Sequence, residues 1–171
     1  MKIDLSELNC CSPAQFVAVC GPLFERSPWI AERAATLRPF ATRQVLHATL
    51  CQTVERATSA EQLALVRAHP DLVGRAVSGR NLTDASAAEQ ASLGLPDLAK
   101  DDARRLDDFN AAYRSKFGFP FVICARENKK EAILATFPSR LANTPEQELR
   151  TALGEIAKIA WYRLCDAIEE G

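Results

Sequence analysis

The chain has 171 residues, of which 47% are hydrophobic, and its 21 basic and 22 acidic side chains give a formal net charge of −1. This length and composition exclude intrinsic disorder and favour one globular domain spanning residues 1–171. The balanced charge argues against nucleic acid as a partner, and the absence of a long apolar run argues against a membrane protein.

The beginning of the chain and its cysteines bear on the compartment. The segment MKIDLSELN has acidic and polar residues where a signal peptide has an apolar run, which predicts a cytoplasmic protein. In a reducing cytoplasm, scattered cysteines are usually small buried hydrophobic residues, so neither a metal site nor a disulfide framework is predicted. The six form no Cys-x-x-Cys pair and stand at Cys10, Cys11, Cys20, Cys51, Cys124 and Cys165.

Helix signals recur through the first 70 residues. Ser12, followed by Pro13 and by Gln15, predicts a helix with a capping box, which Gly21 and Pro22 should stop or kink. Ser27 and the proline after it predict a second start of the same kind. An apolar stripe then predicts a helix from Thr42, with Val45, Leu46, Thr49, Leu50 and Val54 on one face.

Further helices are predicted in the rest of the chain. Ser59 and Gln62 suggest a capping box for a helix that must end near His69, because the next residue is proline. SAAEQASLG is a short helix candidate. A longer helix should end at Gly118, with Leu98, Leu106, Phe109 and Tyr113 on its apolar stripe.

Two more helices complete the prediction. Asn128 and Glu131 suggest a cap and box for a helix that ends before Pro138. The last helix keeps one apolar face over many turns, at Leu149, Leu153, Ile156, Ala160, Leu164 and Ile168. The sequence therefore predicts an all-α, single-domain helical bundle of about seven to nine helices around a central long C-terminal helix.

His69 is the first candidate for chemistry. Imidazole, with an unperturbed pKa of about 6.5, exchanges protons near neutral pH, and Pro70 should fix the backbone behind it. The alternative is a structural histidine at a helix C-terminus, where a cation is favourable. His47, inside an apolar-rich helix, is interpreted as structural.

The segment Ser86 to Gln90 is the second candidate. Ser86 and Glu89 have the spacing of a capping box, which needs no ligand. A helix start with free N–H groups beside a glycine-containing loop also suits an anionic ligand. Both interpretations remain open from these residues alone.

The third candidate is FGFPFVICAR, residues 117–126. Its apolar core reads as a strand, but Pro120 tolerates only a sheet edge and no second run is available to pair with it. Buried N–H groups need partners, which a ligand rich in acceptors would provide. The alternative is a buried connecting segment, with Arg126 as an ordinary surface cation rather than the counter-charge of a carboxylate.

Taken in order, SPWIAERA, AHPDLVGRA, SAAEQASLGL, FGFPFVICAR and ANTPEQELRTALGEIAKIAWYRL resemble the OHCU decarboxylase family. OHCU is 2-oxo-4-hydroxy-4-carboxy-5-ureidoimidazoline, the labile product two steps beyond urate. The resemblance runs from about Leu5 to Leu164, and the His-Pro-Asp-Leu and Phe-Gly-Phe-Pro-Phe motifs are its specific parts.

The resemblance implies an all-helical, cofactor-free lyase, a homodimer in many relatives, that acts on a small anionic substrate and releases CO2 to give (S)-allantoin. It implies His69 as the catalytic acid, with Glu89 and Arg126 completing the catalytic set. Implied substrate-binding residues are Pro70, Ser86, Ala87, Ala88, Glu89, Gln90, Phe121, Val122, Ile123, Cys124 and Ala125. The imidazole, the guanidinium and the peptide N–H groups should then share one cleft.

Two other functions are compatible with the residues. A non-catalytic helical interaction domain would use an apolar stripe as a docking groove. A lyase or hydrolase acting on a related ureido or keto acid would need the same donors for a similar anion.

Overall fold

The computed structural model describes residues 2–72, 83–92 and 99–170. Within these ranges the chain forms nine α-helices and one pair of two-residue strands, which confirms the all-α prediction. The helices are α1 (Leu5–Cys10), α2 (Pro13–Cys20), α3 (Trp29–Ala35), α4 (Arg43–Glu55), α5 (Ser59–Ala68), α6 (Asp84–Ser92), α7 (Lys100–Phe117), α8 (Lys130–Leu141) and α9 (Pro145–Ala167). None of them combines the length and the apolar character needed to cross a lipid bilayer.

The backbone clusters into two compact units. The first comprises Met1–Ala68 together with Ala157–Gly171, and the second comprises His69–Ile156. Helix α9, with 23 residues, is the longest in the described ranges. Its residues 145–156 belong to the second unit and its residues 157–167 to the first. That residues 1–171 act as one domain stays a prediction.

The start and end of α2 follow the local signals in the sequence, whereas the start of α3 does not. The Ser12 hydroxyl accepts a hydrogen bond from the N–H of Gln15, and the Gln15 side chain accepts one from the N–H of Ser12, so the predicted capping box is confirmed. Helix α2 ends at Cys20, directly before the Gly-Pro pair, as predicted. The next helix begins at Trp29, with Pro28 in the cap position and no side-chain cap, so the cap predicted at Ser27 is one residue early.

The cap of α5 lies one residue before the predicted one. The box is formed by Thr58 and Glu61: the Thr58 hydroxyl accepts from the Glu61 N–H at 3.2 Å, and the Glu61 carboxylate accepts from the Thr58 N–H at 2.9 Å. The same carboxylate pairs with Arg33 of α3 at 2.5 Å. The predicted partner Gln62 instead donates to the carbonyl oxygen of Val54 at 2.9 Å.

Helix α4 buries a narrower stripe than predicted. Leu46, Leu50 and Val54 are buried at a spacing of four residues, whereas Val45 is 45% exposed. The ring Nε2 of His47 lies 2.8 Å from the carbonyl oxygen of Ala157, and the ring meets Trp161 edge to face. These contacts confirm the structural interpretation of His47.

A short parallel pairing joins two distant segments of the first unit. β1 (Ile3–Asp4) pairs with β2 (Ile168–Glu169), with Ile3 opposite Ile168. This pairing cannot be predicted from the sequence, because two-residue strands carry no detectable periodicity.

The second unit departs from the predicted boundaries at two points. Gly118 ends α7 in the left-handed conformation (φ 73°), which a glycine adopts without steric cost, as predicted. Pro138, predicted to follow α8, lies inside it. The box predicted for Asn128 and Glu131 is wrong, since α8 begins after Lys129 without a side-chain cap.

Candidate active site

Residues 119–124, called the connector here, join α7 to a 3-10 turn formed by Ala125–Glu127. The connector has no assigned strand, as expected for a segment with Pro120, and all six of its residues are buried. The Phe121 ring stacks on Phe137 with 3.9 Å between centroids and meets the edge of Tyr113 at 5.3 Å. Its side chain is therefore part of the hydrophobic core of the second unit.

Protein side chains bind part of the connector backbone. The N–H of Cys124 donates to the carboxylate of Glu155 at 2.8 Å, and the Cys124 carbonyl accepts from the Asn128 side chain at 2.9 Å. The carbonyl of Val122 accepts from both terminal nitrogens of Arg140 at 3.2 Å each. The expectation that this row of N–H groups awaits a ligand is therefore wrong for Cys124.

A buried ion pair between Arg140 and Glu148 holds the connector. Glu148, at 0% exposure, pairs with the Nε of Arg140 at 2.5 Å and accepts hydrogen bonds from Asn143 at 2.7 Å and from the hydroxyl of Tyr113. Burial, and then the hydrogen bond to Glu148, raise the pKa of Tyr113, so its hydroxyl remains a neutral donor. The Arg140 guanidinium also lies 4.6 Å from the centroid of the Phe121 ring.

The surroundings of Cys124 disfavour its thiolate form. Burial raises its pKa, and the nearby charges of Glu127 and Glu155 act in the same direction, whereas N–H groups of the following turn oppose it. A thiol with a raised pKa is mostly protonated at neutral pH, and only the thiolate is strongly nucleophilic. We therefore assign to Cys124 a contribution through its apolar surface and its backbone.

The segment that begins with His69 is held from two helices. His69 is 6% exposed and follows the end of α5, as predicted. The carbonyl of Asp71 accepts from the Gln90 side chain at 3.0 Å, while its carboxylate accepts from the Nε of Arg114 at 2.9 Å. The carbonyl of Leu72 accepts from the Asn110 side chain at 2.7 Å. These bonds fix the backbone directly after the histidine and Pro70.

Helix α6 carries the second candidate segment, and its cap differs from the predicted one. The helix begins at Asp84, and the hydroxyl of Thr83 accepts from the N–H of Ser86. Ser86 is thus the third residue of the helix, buried at 4% exposure, and not its cap. The capping-box interpretation of Ser86 and Glu89 is therefore wrong. The Glu89 carboxylate does not serve as the acceptor of a box closed by Ser86.

The faces of α6 are distinct. Ser86 and Gln90, four residues apart, point into the protein, while Ala87 and Ala88 are exposed and Glu89 is half-buried. Because neighbouring helical residues point about 100° apart, Glu89 and Gln90 leave the helix in different directions, and Gln90 is the one that holds the Asp71 carbonyl.

The same helix packs against the 3-10 turn that contains Arg126, whose side chain is exposed. Helix α6 is therefore linked through Gln90 to the segment of His69, and by packing to the turn that ends the connector. Three segments that are remote in sequence belong to one compact unit and meet along one helix. The glycine-containing loop before α6 lies mostly outside the described residues, and Leu98 of the predicted apolar stripe lies outside them too.

The residues that hold these segments are not found by sequence analysis. Arg140, Glu148 and Glu155 act on the connector from α8 and α9, and Asn110 and Arg114 act on the His69 segment from α7. A pairing across helices leaves no local spacing, so the only available signal is that each polar residue lies next to apolar positions of its helix.

Neither a cleft elsewhere in the described ranges nor a metal-binding cluster gives a second candidate that includes the predicted residues. A cleft of about 470 Å³ in the first unit is lined by residues such as Asp4, Asn9, Phe40 and Glu170, and it contains none of the predicted site residues. No three His, Cys, Asp or Glu side chains of the described ranges are arranged to hold a metal ion.

Comparisons with known proteins give a consistent result. A family model described as OHCU decarboxylase matches residues 9–165. The 2-oxo-4-hydroxy-4-carboxy-5-ureidoimidazoline decarboxylase of Amia calva is 41% identical over 167 residues, covering 98% of this chain and 95% of the relative. The protein of the same name from Haloferax volcanii is 39% identical over 165 residues, covering 96% of each.

Two solved structures are similar as well. A crystal structure of (S)-allantoin synthase matches with a TM-score of 0.80 and 29% identity, covering 98% of this chain and 54% of that one, so this chain spans about half of its length. A crystal structure of OHCU decarboxylase in the presence of (S)-allantoin matches with a TM-score of 0.68 and 25% identity, covering 91% and 97%.

Proposed function

The chain belongs to the OHCU decarboxylase family, and on this premise we propose that it decarboxylates 2-oxo-4-hydroxy-4-carboxy-5-ureidoimidazoline to (S)-allantoin and CO2 in urate degradation. One observation carries the proposal beyond family membership. Helix α6, which bears Glu89, is bonded to the segment of His69 and packs against the turn of Arg126. A proton donor, a carboxylate and a cation are thereby attached to a single structural element.

The reaction needs charge stabilisation more than it needs bond-making groups. The bond between the ring carbon and the carboxylate breaks, CO2 leaves, and the electron pair stays in the imidazoline ring and spreads toward its carbonyl. Only interactions that become stronger during this movement accelerate the step. The cation should therefore face the ring atoms that gain charge, and the leaving carboxylate should lie against apolar surface.

Arg126 is suited to the first of these tasks. It lies two residues after the connector in a short 3-10 turn, so its backbone position is set by a buried segment while the residue itself is exposed. A guanidinium that binds the ring oxygen or nitrogen gains interaction energy as negative charge arrives there. A guanidinium bound to the carboxylate would mainly stabilise the starting material.

His69 is suited to the second half of the reaction. The carbanion left after CO2 release takes up one proton, and delivery to one face of the ring sets the S configuration. The buried imidazole is held by the bonds that fix the two residues after Pro70, so it approaches from one fixed direction. Glu89 either orients the imidazole or binds a ring N–H of the substrate.

The remaining expectations form part of the same proposal. The chemistry uses no cofactor, because the ring itself accepts the electron pair. The protein works in the cytoplasm and as a homodimer, in keeping with the family resemblance. Size-exclusion chromatography with light scattering measures the assembly state directly.

The test is a coupled assay. Urate is converted by uricase and hydroxyisourate hydrolase into the labile substrate, this protein is added, and circular dichroism follows the appearance of (S)-allantoin. We expect rapid formation of one enantiomer and CO2. Decay at the uncatalysed rate, or racemic allantoin, would rule out the proposed activity. Related ureido and keto acids, offered in parallel, test the alternative of a different substrate.

A further inference from the structure

Two carboxylates of α9 hold the connector, one directly and one through an arginine. Glu148 and Glu155 are seven residues apart, close to two full helical turns, so they lie on the same side of the helix. Glu155 accepts the N–H of Cys124 directly, and Glu148 acts on the carbonyl of Val122 through Arg140. The two contacts lie on either side of Ile123.

At Val122, both terminal nitrogens of Arg140 donate to one carbonyl oxygen. The Nε of Arg140 is taken by Glu148, which aims both terminal nitrogens at one carbonyl oxygen at 3.2 Å. The central carbon of the guanidinium also lies over the ring of Phe121, 4.6 Å from its centroid. The arginine therefore fixes one peptide group and the preceding side chain together.

The geometry at Cys124 closes the other end. Its N–H is held by the half-buried Glu155 at 2.8 Å, and its carbonyl is held by Asn128 at 2.9 Å. A segment without sheet pairing needs such partners if its buried peptide groups are to be satisfied. The next three residues form the turn that bears Arg126 and packs on α6. The position of that turn consequently depends on where Cys124 is held.

We propose that Glu155, together with the Arg140–Glu148 pair, positions the connector so that the turn of Arg126 meets α6 in the geometry that the reaction requires. These are positioning residues, which act through the backbone of Val122 and Cys124 and do not touch the substrate. The catalytic part of this inference rests on the proposed decarboxylase function, whereas the structural part does not.

Glu155 is the position at which to test it. Substitution within the buried Arg140–Glu148 pair leaves a charge buried without its partner and endangers folding, whereas Glu155 is only half-buried. Glu155→Gln retains an oxygen that accepts the Cys124 N–H but removes the charge. Glu155→Met removes both. Glu146→Met is the matched control, because it makes the same change at an exposed carboxylate of α9.

Two measurements are combined. Steady-state assays should show kcat/KM lowered about 10- to 100-fold in Glu155→Met, since a small displacement of a positioned group has effects of this size, with Glu155→Gln and Glu146→Met close to wild type. Amide ¹H–¹⁵N spectra should show that the Cys124 and Arg126 resonances, and those of the adjoining α6, move in Glu155→Met and stay in Glu146→Met. Urea unfolding confirms that every variant is folded under the assay conditions.

The outcomes separate this inference from the proposed function. If the wild-type protein makes no (S)-allantoin, the proposed function fails, and the amide spectra alone decide whether Glu155 positions the turn. If Glu155→Met shifts only the Cys124 resonance and keeps full activity, the inference is overturned. Loss of activity in Glu155→Gln equal to that in Glu155→Met overturns it too, because the carboxylate charge would then act on the substrate itself.

Discussion

The side-chain amide of Gln90 donates a hydrogen bond of 3.0 Å to the carbonyl oxygen of Asp71, two residues after His69. This bond joins the helix that bears Glu89 to the segment that bears the proposed acid. Because Gln90 is buried, water does not compete for this hydrogen bond.

Gln90→Leu keeps the side-chain volume but removes the donor. We expect kcat/KM to fall about 10- to 100-fold, because His69 loses its fixed relation to α6. The free energy of unfolding should fall by about 1 kcal/mol, the usual net value of one hydrogen bond. Ser92→Ala, which removes a different side-chain bond of the same helix, is the control and should leave activity intact. Unchanged kinetics in Gln90→Leu would show that this link is not needed for catalysis.

His69→Ala tests the proton donor. We expect kcat to fall by about 10² to 10⁴, the usual contribution of a general acid, while (S)-allantoin binding measured by calorimetry persists. His47→Ala is a matched control, since this histidine bonds a backbone carbonyl of the first unit and should affect stability rather than turnover. Equal losses of activity in both variants would contradict a specific role for His69.

Arg126→Met tests the cation. If the guanidinium faces the ring atoms that gain charge, kcat should fall more than KM rises. Lys129→Met removes an exposed cation three residues further along the chain and should change neither parameter. A rise of KM at constant kcat would instead place the guanidinium on the substrate carboxylate.

Glu89→Gln and Thr83→Ala separate chemistry from helix capping. Thr83 caps α6, so its replacement should lower the free energy of unfolding by about 0.5–2 kcal/mol. Glu89 is the sixth residue of α6 and lies beyond its first turn, so its replacement by glutamine should reduce turnover without a comparable loss of stability. Chemical unfolding and the allantoin assay on both variants give the two quantities, and near-wild-type turnover in Glu89→Gln would exclude the carboxylate from the mechanism.

The Arg33–Glu61 pair predicts a pH effect in the first unit. Hydrogen bonds from Arg33 and Thr58 lower the pKa of Glu61 from 4.5 to about 2. The stability that this provides is present above about pH 4.5 and is lost as the pH falls toward 2. The urea midpoint of wild type should therefore exceed that of Glu61→Gln at pH 6, by an amount that shrinks at pH 2.5 and in high salt. A difference that is constant with pH would contradict a charge effect.

Local signals predict much of the fold. The box of Ser12 and Gln15 and the glycine stop at Gly118 depend only on neighbouring residues, and both are confirmed. The box at α5 is ambiguous, because Thr58 with Glu61 and Ser59 with Gln62 have the same spacing. The contact with Arg33 of α3 favours the first pair, and no local pattern reveals that contact.

The second unit fails local rules where the connector needs partners. Asn128 would be a reasonable helix cap, but its side chain binds the carbonyl of Cys124 instead. Pro138 lies within α8, and the last turn beyond it is held by the pairing of Arg140 with Glu148. The three candidate segments could be found from sequence, whereas the residues that hold them could not, since each pairing crosses between helices.

The buried pair also constrains how this sequence can diverge. Loss of either partner strands a charge among apolar side chains and costs about 3–5 kcal/mol, a large share of the stability of a typical domain. Positions 140 and 148 should therefore be exchanged only together, by an apolar pair of similar volume or by a reversed pair of charges. An apolar pair could match the lost stability and still release the carbonyl of Val122. Lineages that keep the fold while abandoning the reaction are where such a double replacement should first be found.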